Sequence, residues 1–445
     1  MNNISVNFKE ERGVMKPLNG VCCAPYVERL GSNQSTIKKM FTAAHVPYCR
    51  THDCEGIRNR SCLVDIPKVF PNFDADENDP NNYDFHYSDE YIGAIQNAGT
   101  ETYYRLGCSI EWGSKKYVSL MPTDFAKWAR ICEHVIMHYN EGWANGFNYN
   151  LQYWEIWNEP ENPGNTWGPS QWSGTEEEFL ELYKTASKYL KSKFPALKIG
   201  GYGSCGFYAI NRENVHETRQ MFVQYFIDFL TMCKKENCPM DFFTWHIYTG
   251  SPEEILEHAR FVREKLDEFG FNDAESHLNE WNYQDEGTVY MCKHTMDGGA
   301  FLTKAMTLMQ HTDLVDKAMY YSMSSMTLYN GFIDHRDGTP SPSWYAYVAY
   351  GHVYHLGTSV SVNYDGDIHA VASKNESESA VLLTNHRCED DKVTLNVDGI
   401  VGKKAVVIYN TDEKHMKEEF TFTVKDDVIM ELTIPQNTVV LIKFI

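Results

Sequence analysis

Short apolar runs alternate with amphipathic helical stretches from about residue 18 to about residue 350. The stretches 176–193 and 253–269 carry apolar residues three and four positions apart, which predicts helices. Such alternation is typical of an α/β fold, and eight strands interleaved with helices predict a (β/α)8 barrel, or TIM barrel, with its active site at the C-terminal strand ends. The eight predicted strands are 18–24, 46–51, 101–106, 151–157, 198–203, 241–247, 275–281 and 317–323.

After about residue 357 the helical spacing stops, and short alternating runs separated by turn residues follow one another to the C-terminus. This pattern predicts an appended antiparallel β-sandwich. We therefore expect a catalytic barrel over residues 10–356 and a sandwich over residues 357–445, joined by a strand from about residues 1–9. The predicted sandwich strands are 4–8, 360–364, 368–373, 380–385, 393–397, 405–409, 420–424, 429–432 and 439–444.

The net charge of the chain argues against polyanionic partners. The chain has 61 acidic and 40 basic residues, a formal net charge of -21, so it would repel nucleic acid and anionic membranes. No stretch approaches the roughly 18 apolar residues of a membrane span, and the N-terminus lacks the apolar segment of a secretory signal. We expect a cytoplasmic protein that binds neither nucleic acid nor membrane, and a homo-oligomer is left open.

The twelve cysteines are scattered and form no C-x-x-C pair. Zinc sites usually need paired ligands at short spacing. The sequence therefore predicts reduced cysteines, no metal and no disulfide framework.

The densest polar and aromatic cluster reads WEIWNEP at residues 154–160, where the fourth predicted strand ends. Its turn leaves the sheet where a barrel presents catalytic groups, which makes Glu159 a candidate. The alternative is a solvated glutamate in a proline-containing turn.

A second carboxylate, Glu280, lies in the stretch SHLNEWN at residues 276–282, at the end of the seventh strand. Strands four and seven face each other across an eight-stranded barrel. Glycoside hydrolysis needs two carboxyl groups on opposite sides of the scissile bond, one to protonate the leaving oxygen and one to attack the anomeric carbon or activate water. The pair Glu159 and Glu280 therefore indicates a glycosidase.

These two segments, with the stretches 329–334 and 337–345, are similar to glycoside hydrolase family 39, the β-xylosidase and α-L-iduronidase family of the retaining clan A. The resemblance implies that Glu159 is the acid/base, that Glu280 is the nucleophile, and that no cofactor is required. It also implies that Asn158 binds the sugar 2-hydroxyl, although a plain turn asparagine is the alternative.

The same resemblance extends to the second and sixth strands. His246 and Tyr248 match an H-x-Y motif in which the tyrosine orients the nucleophile and the histidine lies near the sugar or the acid/base. Arg50 and His52 match an arginine that keeps the nucleophile ionised and a histidine that meets the sugar. Alternatively, His246 is a buried core histidine and Arg50 a structural ion-pair member.

Three aromatic residues complete the expected substrate site. Trp281 follows Glu280, Trp112 follows the third strand, where core packing is equally compatible, and Tyr321 lies where related β-xylosidases carry a Tyr-Trp pair. This chain has Tyr-Tyr at residues 320–321 in place of that pair, so the sequence does not identify the sugar that is bound.

The leading hypothesis is a retaining glycosidase acting on a plant-type or gut oligosaccharide, β-xylosidase-like, with an arabinoside or another neutral sugar also compatible. Retention predicts carboxyl groups about 5 to 5.5 Å apart. Glu159 should be protonated and Glu280 ionised, with Arg50 and Tyr248 donating to it. The alternatives are an inactive carbohydrate-binding barrel and a metal-dependent hydrolase, for which His52 and Asp53 are adjacent but no H-x-H is present.

Overall fold

Eight parallel strands close into a barrel. The computed structural model describes residues 2–23, 33–54, 63–110, 119–162, 171–213, 215–284, 290–323, 331–334, 339–425 and 428–445. The first strand, β1 (Asn2–Val14), belongs to a second sheet, and the barrel follows in chain order. Its strands are β2 (Gly20–Cys22), β3 (Tyr48–Arg50), β4 (Glu101–Leu106), β5 (Tyr153–Ile156), β6 (Lys198–Ser204), β7 (Phe242–Thr249), β8 (Glu275–Tyr283) and β9 (Lys317–Tyr321).

Helices surround the barrel and begin at the residues that cap them. Thr175 accepts from the backbone of Glu178, whose side chain returns to Thr175, a complete capping box at the start of α5. At the starts of α4 and α7, the side chains of Asp124 and Ser251 each accept one backbone N–H of the first turn. The helices of the described residues are α1 (Asn33–Ala43), α2 (Ile66–Val69), α3 (His86–Asn97), α4 (Phe125–Glu141), α5 (Glu176–Lys193), α6 (Glu217–Glu236), α7 (Pro252–Glu268), α8 (Met296–Gln310) and α9 (Pro342–Leu356).

The predicted barrel is confirmed. All eight predicted strands coincide with β2 to β9, the helix predicted at 176–193 has those bounds, and the helix predicted at 253–269 is shifted by one residue. The first two strands are shorter than predicted. Cys23 takes a left-handed φ of 56° and ends β2 early. No helix in the described part of the chain has the length and apolar character of a membrane span.

The C-terminal region forms one nine-stranded sheet with the order β15-β14-β17-β12-β11-β10-β1-β13-β16. Each predicted strand is present. The sheet is mixed and not purely antiparallel as predicted, because β1 comes from the far end of the chain and runs parallel to β13. The strands are β10 (Thr358–Asp365), β11 (His369–Lys374), β12 (Ser379–Asn385), β13 (Lys392–Asp398), β14 (Lys404–Asn410), β15 (Lys417–Thr423), β16 (Val428–Thr433) and β17 (Thr438–Phe444).

This sheet is buried on two faces in its β11-β12-β17-β14 part. Alternate residues such as Val440 and Ile442 pack into the sheet's own core. Their neighbours Val439 and Leu441 join the barrel's core, where β17 contacts α8 and α9. A strand buried on both faces carries a continuous apolar run, as 439–442 does. The sheet is thus held against the barrel by hydrophobic packing.

We expect Leu441→Ala to lower the free energy of unfolding by about 2 to 5 kcal/mol, since a fully buried leucine leaves a cavity when truncated. Val401→Ala is the matched control, because Val401 is 58% exposed and its truncation should change stability little. Denaturant unfolding of both variants tests this prediction. Equal stability of the two variants would contradict tight packing between sheet and barrel.

Candidate active site

Glu159 lies in the turn that follows β5. The turn is tight, since Trp157 and Glu159 have left-handed φ values of 71° and 44°, which non-glycine residues seldom adopt. The backbone N–H of Glu159 donates to the carbonyl of Gly203 on β6 at 2.9 Å. Gly203 itself has a φ of 67°, and a Cβ there would lie 3.1 Å from Asn158 Oδ1. The turn is therefore fixed by a close approach between β5 and β6 that favours glycine.

Three side chains hold the carboxylate of Glu159. His246 Nδ1 lies 2.8 Å from Oε1, and Gln171 donates to Oε2 at 2.9 Å. Asn162 Nδ2 is 3.4 Å from the same oxygen. Gln171 also accepts from Asn158 at 2.9 Å. The glutamate is therefore fixed in one orientation, with 13% of its side chain exposed.

Glu280 lies on β8 at a β-bulge. The strand pairs Trp245 with Leu278 and then His246 with Glu280, so Asn279 is an extra residue. A bulge can place two successive side chains on one face. Both Asn279 and Glu280 accordingly contact groups of the barrel interior.

Different donors hold the two carboxylates. Glu280 accepts from the hydroxyl of Tyr248 at Oε1 and from Arg50 Nη1 at Oε2, 3.1 Å away. The carboxylate of Glu280 is thus hydrogen-bonded to a fixed cation and a hydroxyl, whereas the carboxylate of Glu159 is hydrogen-bonded to an imidazole and to amides. Arg50 and Tyr248 are thus placed on Glu280 as the sequence suggested.

Arg50 is the centre of this network. Its guanidinium is fully buried and donates to Glu155, Glu280 and Asn158. Burial lowers the pKa of Arg50, but the charges of Glu155 and Glu280 outweigh it and hold that pKa above its ordinary value. The cation therefore persists at every working pH, 3.1 Å from the carboxylate of Glu280.

The carboxylates lie close together. An oxygen of Glu159, an oxygen of Glu280 and a ring nitrogen of His246 all lie within 4.8 Å of one another. Retaining glycosidases hold their carboxyl groups about 5 to 5.5 Å apart, whereas inverting enzymes need about 6.5 to 9.5 Å. The closeness of these atoms is compatible with the shorter separation, at which a carboxylate attacks the sugar directly.

The same three side chains have donor atoms that could hold a metal ion. Arg50 Nη1, however, is already 3.1 Å from Glu280 Oε2, and a second cation beside it would be repelled. The hydroxyl of Tyr248 occupies the other oxygen. The donors present fit a hydrogen-bonded carboxylate better than a metal centre.

The protonation expected of Glu159 is not what the geometry supports. Burial raises its pKa, but the hydrogen bond and charge of His246 outweigh burial and hold the pKa below its ordinary value. Burial lowers the pKa of His246, but Glu280 and Glu159 raise it overall. The directions of the two shifts favour one proton shared by Glu159 and His246, with the imidazole as its main holder. The pKa shift of Glu159 is thus opposite in direction to the one expected for a protonated Glu159.

We expect His246→Gln to shift the alkaline limb of the kcat/KM profile to lower pH, by up to about one unit. The wild-type pair keeps its last proton until the pH exceeds the raised pKa of His246. Without the imidazole, Glu159 alone holds that proton, and a single site loses it at lower pH than a pair sharing it. The measurement is a pH profile with a glycoside whose leaving group needs protonation. An unchanged or upward-shifted limb would contradict a shared proton.

His52 and Tyr321 lie together beside Asp53. The hydroxyl of Tyr321 donates to Asp53 at 2.9 Å, and His52 Nε2 is 3.5 Å from the same oxygen. Both ring nitrogens of His52 are buried and have no hydrogen-bond partner among the described residues. Burial, followed by Arg50, lowers the pKa of His52, so the ring is neutral. Its nitrogens therefore keep unused hydrogen-bonding capacity.

Trp281 does not line the cleft as predicted. Its ring is fully buried between the barrel and the helices and packs against Phe301 of α8 and Tyr320. Side chains alternate along a strand, so an inward Glu280 requires an outward Trp281. Trp112 lies outside the described residues.

Sequence reasoning assigned no role to three buried residues of the site. Glu155 accepts from Arg50 and from Asn279, and Gln171 bridges Asn158 and Glu159. A charged or amide residue within an otherwise apolar barrel strand, such as Glu155 or Asn279, is the signal that could have revealed two of them. Gln171 follows the turn by twelve positions and carries no such signal.

Comparison with known proteins gives a consistent result. The model of the family described as glycosyl hydrolases family 39 matches residues 22–335. A β-xylosidase of Geobacillus stearothermophilus is 24% identical over 293 residues, covering 59% of this chain and 52% of that protein. A β-xylosidase of Caldicellulosiruptor saccharolyticus is 22% identical over 329 residues, covering 66% of this chain and 61% of that protein. The chain thus spans about half to three fifths of the length of these curated relatives.

Solved structures share the fold. A glucosidase from Croceicoccus marinus superposes with a TM-score of 0.80 at 21% identity, covering 100% of this chain and 98% of that chain. A monomeric β-xylosidase from Caulobacter crescentus CB15 gives a TM-score of 0.73 at 16% identity, with 99% of both chains covered. Both matches extend through the barrel and the C-terminal sheet.

Proposed function

The chain belongs to the glycosyl hydrolases family 39, and we propose that it is a retaining glycoside hydrolase that cleaves a β-xyloside or a related neutral glycoside. The observation that carries the proposal is the pair of carboxylates whose oxygens lie within 4.8 Å, one held by a permanent cation and the other by a proton-sharing imidazole. Double displacement requires one carboxylate that is always ionised and one that exchanges a proton.

In the first step Glu280 attacks the anomeric carbon and Glu159 protonates the leaving oxygen. Arg50 and Tyr248 donate to Glu280 and orient its carboxylate. The proton delivered by Glu159 comes from the pair with His246, because their 2.8 Å contact allows it to pass from Nδ1 to Oε1. In the second step Glu159, again ionised, activates the water that releases the sugar from Glu280.

Asn158 is positioned to bind a sugar hydroxyl. Its Oδ1 accepts from Arg50, and one N–H of its amide donates to Gln171. One amide N–H remains to meet the 2-hydroxyl, a bond that strengthens as the oxocarbenium-like transition state forms. His52, with its unpaired ring nitrogens, is a second hydroxyl-binding group.

A neutral sugar fits this site better than a uronate. The cleft contains Glu159, Glu280 and Asp53, and the whole chain carries a net charge of -21. A substrate carboxylate would meet repulsion from the chain's excess of negative charge. The two curated relatives described above are β-xylosidases, which makes a β-xyloside the first substrate to test.

The test is a panel of 4-nitrophenyl glycosides of xylose, arabinose, galactose, glucose and fucose in both anomeric forms. We expect turnover of the β-xyloside or another neutral glycoside, with the first-formed sugar product, followed by NMR, having the substrate's anomeric configuration. First-formed product of inverted configuration would contradict the retaining mechanism. Binding of oligosaccharides without turnover would favour a carbohydrate-binding barrel, and loss of activity with a chelator would favour a metal-dependent hydrolase.

A further inference from the structure

An open cavity of about 610 Å³ lies at the end of the barrel opposite the carboxylates. It is formed where α5 and α6 end and where the chain turns after α7. Lys188 and Lys234 lie on its wall with Phe269, and Cys233 and Cys238 lie in its lining. The cavity is therefore basic and contains two thiols.

The C-terminal cap of α6 brings the two thiols together. Asn237 takes a left-handed φ of 53°, and the backbone N–H of Cys238 donates to the carbonyl of Cys233 at 2.9 Å. This six-to-one bond and left-handed residue define a Schellman motif, in which the side chains at the two ends of the bond meet. The thiols of Cys233 and Cys238 are accordingly neighbours that influence each other, and the Cys238 thiol also donates to Met232 Sδ, 3.7 Å away. The positions that meet in this cap usually carry apolar residues, but here they carry a pair of thiols in contact.

The two thiols have different surroundings. The hydrogen bond from Cys233, followed by the charges of Lys188 and Lys184, lowers the pKa of Cys238 against the effect of burial. Burial raises the pKa of Cys233. Lys184 is paired with Glu181, whereas Lys188 is exposed and has no carboxylate partner among the described residues. The thiol nearer the lysines is thus the better nucleophile, and its neighbour is placed to react second.

We propose that Cys233 and Cys238 form a thiol modification site that reacts with small anionic disulfides drawn to the lysines of this cavity. The thiolate of Cys238 attacks one sulfur of the disulfide, whose S–S bond breaks and releases one thiolate. The thiol of Cys233 then loses its proton to solvent and attacks Cys238, which releases the second thiolate. The protein's two thiols are oxidised to one disulfide, and the small disulfide is reduced to two thiols. This site is independent of the proposed glycosidase activity.

The test uses the full chain, fully reduced, with Cys62, Cys292 and Cys388 replaced by serine. The last two are the partly exposed cysteines of the described residues, and Cys62 lies outside those residues. The probe is the anionic disulfide 5,5′-dithiobis(2-nitrobenzoate), with neutral 2,2′-dithiodipyridine for comparison. We expect two leaving thiolates per chain and a final protein mass lower by two hydrogen atoms.

Variants separate the two roles. Cys233→Ala should release one thiolate and keep a stable mixed disulfide, whereas Cys238→Ala should abolish the fast reaction. Lys188→Gln should slow the anionic probe about threefold relative to the neutral one, and Lys9→Gln, in the C-terminal sheet, should change neither rate. The proposal is overturned if the thiols react only after denaturation, if Cys238→Ala reacts as fast as the parent, or if both probes respond alike to Lys188→Gln.

Discussion

Replacement of Glu280 by alanine should lower kcat about 10⁵-fold on every glycoside, whatever its leaving group, because no glycosyl-enzyme can form without the attacking carboxylate. The proposed sugar-binding residues Asn158 and His52 remain, so KM should change much less. The measurement is steady-state kinetics with both an activated aryl glycoside and an oligosaccharide. A loss confined to the oligosaccharide would contradict the nucleophile role of Glu280.

Azide adds a stereochemical readout to the same variant. The truncated side chain leaves space between Arg50 and the sugar, and a small anion there can attack the anomeric carbon directly. A single displacement gives a glycosyl azide of inverted configuration. Recovery of activity with a retained product would show that another residue forms the covalent intermediate.

The matched control is Glu275→Gln, at the opposite end of β8. Glu275 accepts from His277 and Lys317, and burial is outweighed by His277 and Lys317, so its pKa lies well below the ordinary value. At pH 7 the uncharged amide of Glu275→Gln should therefore lower the free energy of unfolding relative to the wild type. This difference should diminish as the pH falls towards the folded-state pKa of Glu275, because the wild-type carboxylate then becomes protonated. At a temperature where the variant is folded, kcat should remain near the wild-type value.

The fold could be predicted because its signals are local. Each barrel strand is a short apolar run followed by a helix whose spacing and caps lie in adjacent residues, so β2 to β9 were found without tertiary information. The parallel pairing of β1 with β13 could not be found this way, since the paired residues Asn2 and Val393 are 391 positions apart. Its strand was visible in the sequence, but its direction in the sheet was not.

The site was only partly predictable for a related reason. Glu159 lies in the turn after β5, Glu280 lies in the second half of β8, and both have a tryptophan within two positions, which makes them conspicuous. The carboxylate and amide partners of Arg50 come from two other strands and the turn after one of them, and Gln171 reaches the site from beyond the turn. The placement of Trp281 was a different kind of error, because the alternation of strand side chains already places it opposite Glu280.

The protonation of Glu159 shows what sequence alone omits. A catalytic acid suggests a carboxyl group with a raised pKa, and burial does act in that direction. The contact with His246 Nδ1 reverses it, and this contact joins residues 87 positions apart. In the proposed mechanism, Glu159 and His246 together hold the catalytic proton. It passes to Glu159 as the leaving oxygen develops negative charge, so a Glu159 variant should lose the ability to deliver it.

Replacement of Glu159 by alanine should therefore produce a loss that depends on the leaving group. Natural glycosides need protonation of the departing oxygen, so their hydrolysis should slow by about 10² to 10⁴-fold. The leaving group of an activated aryl glycoside departs without a proton, so the first step with these substrates should be largely spared. Their second step slows, because no base activates water, and the glycosyl-enzyme on Glu280 should accumulate as a burst followed by slow turnover.

Azide should accelerate this second step in Glu159→Ala, since the anion needs no general base, and the product should be a glycosyl azide of retained configuration. Glu161→Gln is the matched control in the same turn. Burial and then Glu159 raise the pKa of Glu161 to about 8, so at neutral pH its carboxyl is already uncharged and the amide should preserve activity. The two variants of Glu159 and Glu280 must therefore give opposite anomers with azide. The same anomer from both, or an equal loss in Glu159→Ala for activated and natural substrates, would contradict the assignment of acid/base and nucleophile.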